Sequence, residues 1–128
     1  MARKPPPRPT AAELDLLRAL WEHGAGSARH VHEAIARERP GISAANVLRQ
    51  LQLMHAKGLL RRDESQRPHV YAPAQAQESL RTNLLKDFIH KAFSGSARDL
   101  VVAALRDGDV SDAEREEIRR LLHEEDEA

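Results

Sequence analysis

Helical periodicity, interrupted once by a short extended stretch, predicts a mostly α fold with a small β-hairpin. Three observations carry that expectation. Capped helical stretches occupy residues 10–57, two runs without helical period flank the polar Glu64-Ser65-Gln66-Arg67, and helical spacing returns from Gln75 onward. The 128 residues suffice for one ordinary domain with an appended assembly segment. With 41% apolar residues, dominated by Leu, Ala and Val, and only four aromatics (Trp21, Tyr71, Phe88, Phe93), the core is small and self-association is favoured.

Residues 1–9 hold four prolines and three basic side chains, a composition that buries no apolar area and reads as a flexible basic arm. Thr10-Ala11-Ala12-Glu13 has the form of a capping box and opens a helix whose apolar side is Leu14, Leu17, Leu20 and Trp21. Gly24 and Gly26 stop it. Ser27 caps a second helix with Ala28, Val31, Ala34 and Ile35 on one stripe, ending by Pro40-Gly41. Ser43 caps a third, running through Lys57 with Val47, Leu51 and Met54 inward and Gly58 just past its end.

Leu59-Leu60-Arg61-Arg62-Asp63 and Pro68-His69-Val70-Tyr71-Ala72-Pro73 lose the helical period and suit an antiparallel hairpin. Pro68 lacks an amide hydrogen, so its strand is expected at an edge whose open side faces solvent or a ligand. Beyond it, Leu80, Leu84, Leu85, Phe88, Ile89, Ala92 and Phe93 form a wide stripe on a fourth helix, broken by Ser94-Gly95-Ser96. Leu100, Val101, Ala104 and Leu105 mark a fifth helix ending at Asp107-Gly108-Asp109. Ser111-Asp112-Ala113-Glu114 is a second capping box, opening a sixth with Ile118, Leu121 and Leu122 on one face.

The expected organisation is a basic arm at 1–9, a first domain at 10–74, a helical dimerisation domain at 75–123 and an acidic tail at 124–128. Leu80, Leu84, Phe88, Ile89, Leu100, Leu105, Ile118 and Leu121 present more apolar surface than helices four to six can hide in one chain, and a two-fold homodimer is the simplest closure.

Charge divides the chain the same way. Lys+Arg and Asp+Glu number 20 each, yet residues 1–74 hold 12 basic against 7 acidic side chains, and residues 75–128 hold 8 against 13. A positive field over the front half attracts phosphate.

Several chemistries are set aside. With no cysteine there is no disulfide framework, thiolate metal site or cysteine nucleophile. His30 and His32 are two apart on a helix and do not share a face, and His23, His55, His69, His90 and His123 are scattered, so neither metal nor other cofactor is expected. The serines sit at caps and turns, and no phosphate loop or buried carboxylate pair occurs, so no enzyme is expected. Without an apolar stretch after the basic N-terminus, or a run of about 18 apolar residues anywhere, a soluble cytoplasmic protein without membrane insertion is expected.

Three helices followed by a hairpin is the order of a winged helix-turn-helix, whose third helix enters the DNA major groove. That helix offers Ala44, Ala45, Asn46, Arg49, Gln50 and Gln52 away from its core face. Asn and Gln amides pair with adenine, Arg pairs with guanine, and small Ala permits close approach or meets a thymine methyl. A merely solvated face usually carries glutamates as well; this one has none. Arg61, Arg62 and Arg67 of the hairpin, with Lys57 and His55 nearby, suit phosphate contacts. The alternative is a winged-helix interaction module that sets the same basic face against an acidic protein partner.

The chain resembles the penicillinase-repressor family of bacterial transcription regulators, the BlaI/MecI/CopY type, over about residues 10–122. Ala12-Glu13-Leu14 through Ala19-Leu20-Trp21-Glu22 is similar to that family's first helix. Leu51 through Ala56-Lys57-Gly58-Leu59-Leu60 resembles the end of its recognition helix, and Val70-Tyr71-Ala72-Pro73 its wing exit. Phe93-Ser94-Gly95-Ser96, Leu100-Val101, Val110-Ser111, Glu117-Ile118 and Leu121-Leu122 follow its dimerisation segment in order. The resemblance implies a homodimeric repressor bound to a palindromic double-stranded DNA operator. It also implies relief through a sensor-linked protease, at a position that here matches the Ala103-Ala104 bond in place of the family's Asn-Phe, with scission expected between Val101 and Asp109. Copper-responsive members carry a C-terminal cysteine pattern that is missing here. Asn46 stands where threonine is usual and Leu53 where arginine or lysine is common, so operator sequence does not transfer.

Overall fold

The computed structural model describes residues 8–127. Most of the expected arm, residues 1–7, and Ala128 of the tail lie outside the described residues. Six helices and one hairpin follow in order: α1 (Ala11–His23), α2 (Ala28–Ala36), α3 (Ala44–Ala56), β1 (Leu60–Asp63), β2 (Val70–Pro73), α4 (Gln77–Ala92), α5 (Ala97–Asp107) and α6 (Asp112–Glu127). The architecture is the mostly α class with a small hairpin, a winged helix-turn-helix followed by helices.

Local hydrogen bonds explain where the helices begin. Glu13 N donates to Thr10 Oγ1 at 3.1 Å and Thr10 N to Glu13 Oε1 at 2.9 Å, which completes the first capping box. Ser27, Ser43 and Ser96 accept from the backbone amides of His30, Asn46 and Asp99. Ser111 and Glu114 form the second box, with bonds of 3.1 and 3.3 Å. Each cap satisfies amides that the first helical turn leaves without a partner. Gly58, at φ +86°, occupies the left-handed position just beyond α3 that glycine tolerates best.

The described residues fall into two compact units that divide between Thr82 and Asn83, inside α4. In the first, Leu16, Leu17 and Leu20 of α1 share a core with Val31 and Ile35 of α2, Val47, Leu51 and Met54 of α3, and Leu59, Leu60, Tyr71 and Leu80. The apolar face of α1 is rotated from the sequence reading: Leu16 is buried, whereas Leu14 is half-buried. α1 packs against α2, α3 and β2, so a broad face is covered. Trp21 is half-buried, and its indole N–H donates to the Gln75 carbonyl at 3.2 Å.

β1 and β2 pair antiparallel, with Leu60 opposite Pro73, Arg61 opposite Ala72, Arg62 opposite Tyr71 and Asp63 opposite Val70. Two features correct the expected open edge. Pro68 precedes β2, and the outer side of β2 is occupied at Tyr71, whose amide donates to Gly26 O at 2.8 Å while its carbonyl accepts from Gly26 N at 3.0 Å. The α1–α2 connection thereby satisfies buried backbone groups that a two-stranded ribbon alone leaves unpaired. A Cβ on Gly26 would stand 2.4 Å from the His30 ring, so a larger residue at that crossing needs the His30 side chain to shift.

The second unit holds the end of α4 with α5 and α6. α4 closes with the amides of Phe93 and Gly95 both donating to Ile89 O at 3.0 Å, and the Phe88 and Phe93 rings meet edge-on at 5.8 Å between centroids. The Arg115 guanidinium donates to the Leu105 carbonyl. α5 contributes no buried residue. Among the described residues no helix is long and apolar enough to cross a membrane.

Candidate nucleic-acid interface

The position of α3 follows from its apolar period. Val47, Leu51 and Met54 have no exposed surface, and this anchoring turns Ala45, Asn46, Arg49, Gln52, Leu53 and Ala56 outward, where all are exposed. Ala44 is also exposed at the first turn. No carboxylate occurs anywhere on Ala44–Ala56, so the outward face carries no negative side chain of its own that would repel a polyanion. Gln50 differs from its neighbours: it is half-buried, and its Oε1 is enclosed without a hydrogen-bond partner.

The hairpin turn is organised by its own acids. Asp63 Oδ1 accepts from the Ser65 amide at 3.0 Å and the Ser65 hydroxyl at 2.6 Å, while Asp63 Oδ2 accepts from Gln66 Nε2 at 2.8 Å. These side-chain bonds from Ser65 and Gln66 hold the Asp63 carboxyl below its ordinary range. Glu64 takes both Nε and Nη2 of Arg62, at 2.9 and 2.5 Å, and its carboxyl is lowered for that reason. The two acids of the turn are therefore occupied within it. Arg67 braces the turn through the Glu64 carbonyl at 2.9 Å and His69 Nε2 at 2.6 Å; because a guanidinium only donates, His69 Nε2 is the acceptor. Arg61 and Arg67 are exposed, and Arg62 is partly covered.

Lys57 has a partner that spacing does not reveal. Its Nζ lies 2.7 Å from Glu13 Oε1, tying the end of α3 to the start of α1 across 44 residues of sequence. Glu13 is 8% exposed. Burial alone would raise its carboxyl, but bonds from the Lys57 ammonium and the Thr10 amide outweigh burial and hold it below the ordinary value of 4.5. A carboxyl lowered in the folded state stabilises the fold above its unfolded value, and that contribution disappears as pH falls through the folded value. Unfolding free energy measured from neutral to acid pH should therefore fall less steeply for Glu13→Gln than for the parent. Equal acid limbs would show that the pair contributes nothing.

The remaining expected residues lie elsewhere. Leu80 is in the first unit and only 2% exposed. In the second unit Leu84, Ile89, Leu100, Leu105 and Ile118 are half-buried, while Phe88 and Leu121 are each 54% exposed. Ala103 is half-buried and Ala104 exposed, and their bond lies inside α5. The Gly108 amide caps that helix on Ala104 O at 3.0 Å. Among the described residues no group of three or more His, Asp or Glu side chains is placed to hold a metal ion.

Two of these features had no signal in periodicity. The Glu13–Lys57 pair joins separate helices, and the Gly26–Tyr71 pairing joins a turn to a strand.

The sequence model of the family described as penicillinase repressor matches residues 9–124. The methicillin resistance regulatory protein MecI of Mammaliicoccus sciuri is 24% identical over 114 residues, which cover 89% of this chain and 92% of the relative. Its namesake from Staphylococcus aureus strain N315 is 23% identical over the same length and shares. A penicillinase repressor of Staphylococcus aureus is 20% identical over 113 residues, covering 88% of this chain and 89% of the relative.

Proposed function

This chain belongs to the penicillinase repressor family, and we propose that it represses transcription by binding a palindromic duplex operator as a homodimer. The observation that carries the reading is the acid-free outward face of α3, with Ala44, Ala45, Asn46 and Arg49 exposed on a helix anchored by three fully buried side chains. Asn46 and Arg49 supply the hydrogen-bonding groups that adenine and guanine edges require, and the two alanines let the backbone approach. Arg61 and Arg67 supply phosphate contacts from the hairpin. Arg62 and Lys57, already paired with Glu64 and Glu13, add positive charge beside them.

Dimerisation through α4–α6 joins two weak half-site contacts into one strong one by effective concentration. Relief of repression by scission between Val101 and Asp109 would act on that linkage and leave the reading helix untouched. Because Ala103-Ala104 sits within α5, a protease needs that helix to open locally first.

Selection from a random duplex pool, followed by titration against the enriched and random sequences, tests the reading. The repressor prefers a palindrome over random DNA of equal length, whereas a module for an acidic protein shows no such preference. In the enriched duplex, Arg49→Ala should cost about 1–3 kcal/mol and relax preference at one position. Arg67→Ala should weaken enriched and random DNA alike and flatten the slope of log K against log salt by about 0.9. Uniform weakening of every sequence by Arg49→Ala would remove its role as a base reader.

A further inference from the structure

We infer that Leu53 reads the C5 methyl of a thymine in the major groove, a specificity contact beyond the hydrogen-bonding residues above. The inference rests on the DNA-binding reading of α3. Leu53 is 52% exposed although it lies only two residues from the fully buried Leu51. Ala45, Arg49 and Leu53 follow one another at intervals of four, which puts them on one row of the helix. Leu48, also exposed, lies off that row. Gln52 and Ala56 flank it, and all five residues of this outward surface are exposed.

The chemistry of the groove leaves one match for such a side chain. Base edges there present hydrogen-bond donors and acceptors, and their apolar group is the thymine methyl. A leucine placed among polar edges leaves them unpaired, whereas against a methyl it removes apolar surface from water on both sides. Ala45 and Ala56 are short enough to let the helix lie close along its length. Four residues of helical rise separate Arg49 from Leu53 by about 6 Å, the height of roughly two base-pair steps. The thymine is therefore expected within about two pairs of the position that Arg49 reads.

Replacing thymine by 2′-deoxyuridine removes that methyl and leaves the hydrogen-bonding edge intact, so the test requires no change in the protein. In the duplex enriched by the full chain, each thymine is replaced singly and affinity is measured by fluorescence anisotropy for the parent and for Leu53→Ala. The parent should lose about fourfold at one thymine per half-site, the worth of one buried methyl. Leu53→Ala should bind the thymine and uracil duplexes equally at that position, while every other position responds as in the parent. A flat uracil scan with the parent overturns the assignment and leaves the DNA-binding reading standing. A penalty of the same size in Leu53→Ala also overturns it, because another group then holds the methyl. Failure to enrich any sequence overturns both readings.

Discussion

Phe88→Asp is expected to dissociate the proposed homodimer and, through that change, to weaken binding to the proposed operator about 10²–10⁴-fold without altering a residue of α3. Phe88 is 54% exposed in the single chain and packs edge-on against Phe93, so its outer face is available to a second copy. A carboxylate there, buried at the proposed two-fold contact without a counter-charge, costs several kcal/mol. Sedimentation at roughly tens of micromolar reads the oligomeric state directly, and far-ultraviolet dichroism establishes that the helices persist. Leu121→Glu on α6, also 54% exposed, should act in the same direction. A monomeric parent at that concentration, or a dimeric Phe88→Asp that binds DNA normally, would refute the proposed assembly.

Leu51→Ala should destabilise the winged helix by about 2–5 kcal/mol, a large share of the roughly 5–15 kcal/mol that holds an ordinary domain folded. Leu51 has no exposed surface and stands between Val47 and Met54, so truncation leaves a cavity that its helix neighbours cannot fill. Leu53→Ala, two residues along and half exposed, is expected to change stability by less than about 0.5 kcal/mol. Thermal unfolding of the two variants side by side checks the pair. Similar losses would mean that Leu53 is packed rather than presented.

Much of this architecture was legible because its signals are local. Thr10, Ser27, Ser43 and Ser111 stand three residues before the amides they cap, and that relation follows from backbone geometry at any helix start. The spacing of Val47, Leu51 and Met54 likewise identifies the inward face of α3 without reference to the rest of the chain. The same period turns Arg49 outward. It is less informative for α1, where Leu14, Leu16, Leu17 and Leu20 crowd the helix and a neighbouring element decides which are covered. In the candidate interface, periodicity exposed Asn46 and Arg49 but placed Gln50 with them, although its carbonyl oxygen is enclosed.

The amino-acid order determined the number and sequence of elements, the outward face of α3 and the concentration of positive charge in the front half, since caps, helical period and composition act over a few residues. Tertiary structure decided that Lys57 is already held by Glu13. It also decided that the outer side of β2 is occupied at Tyr71 by Gly26. These pairings depend on how segments far apart in sequence pack against one another. A buried carboxylate or backbone amide must find a partner wherever packing brings one within reach, and no local pattern specifies where that is.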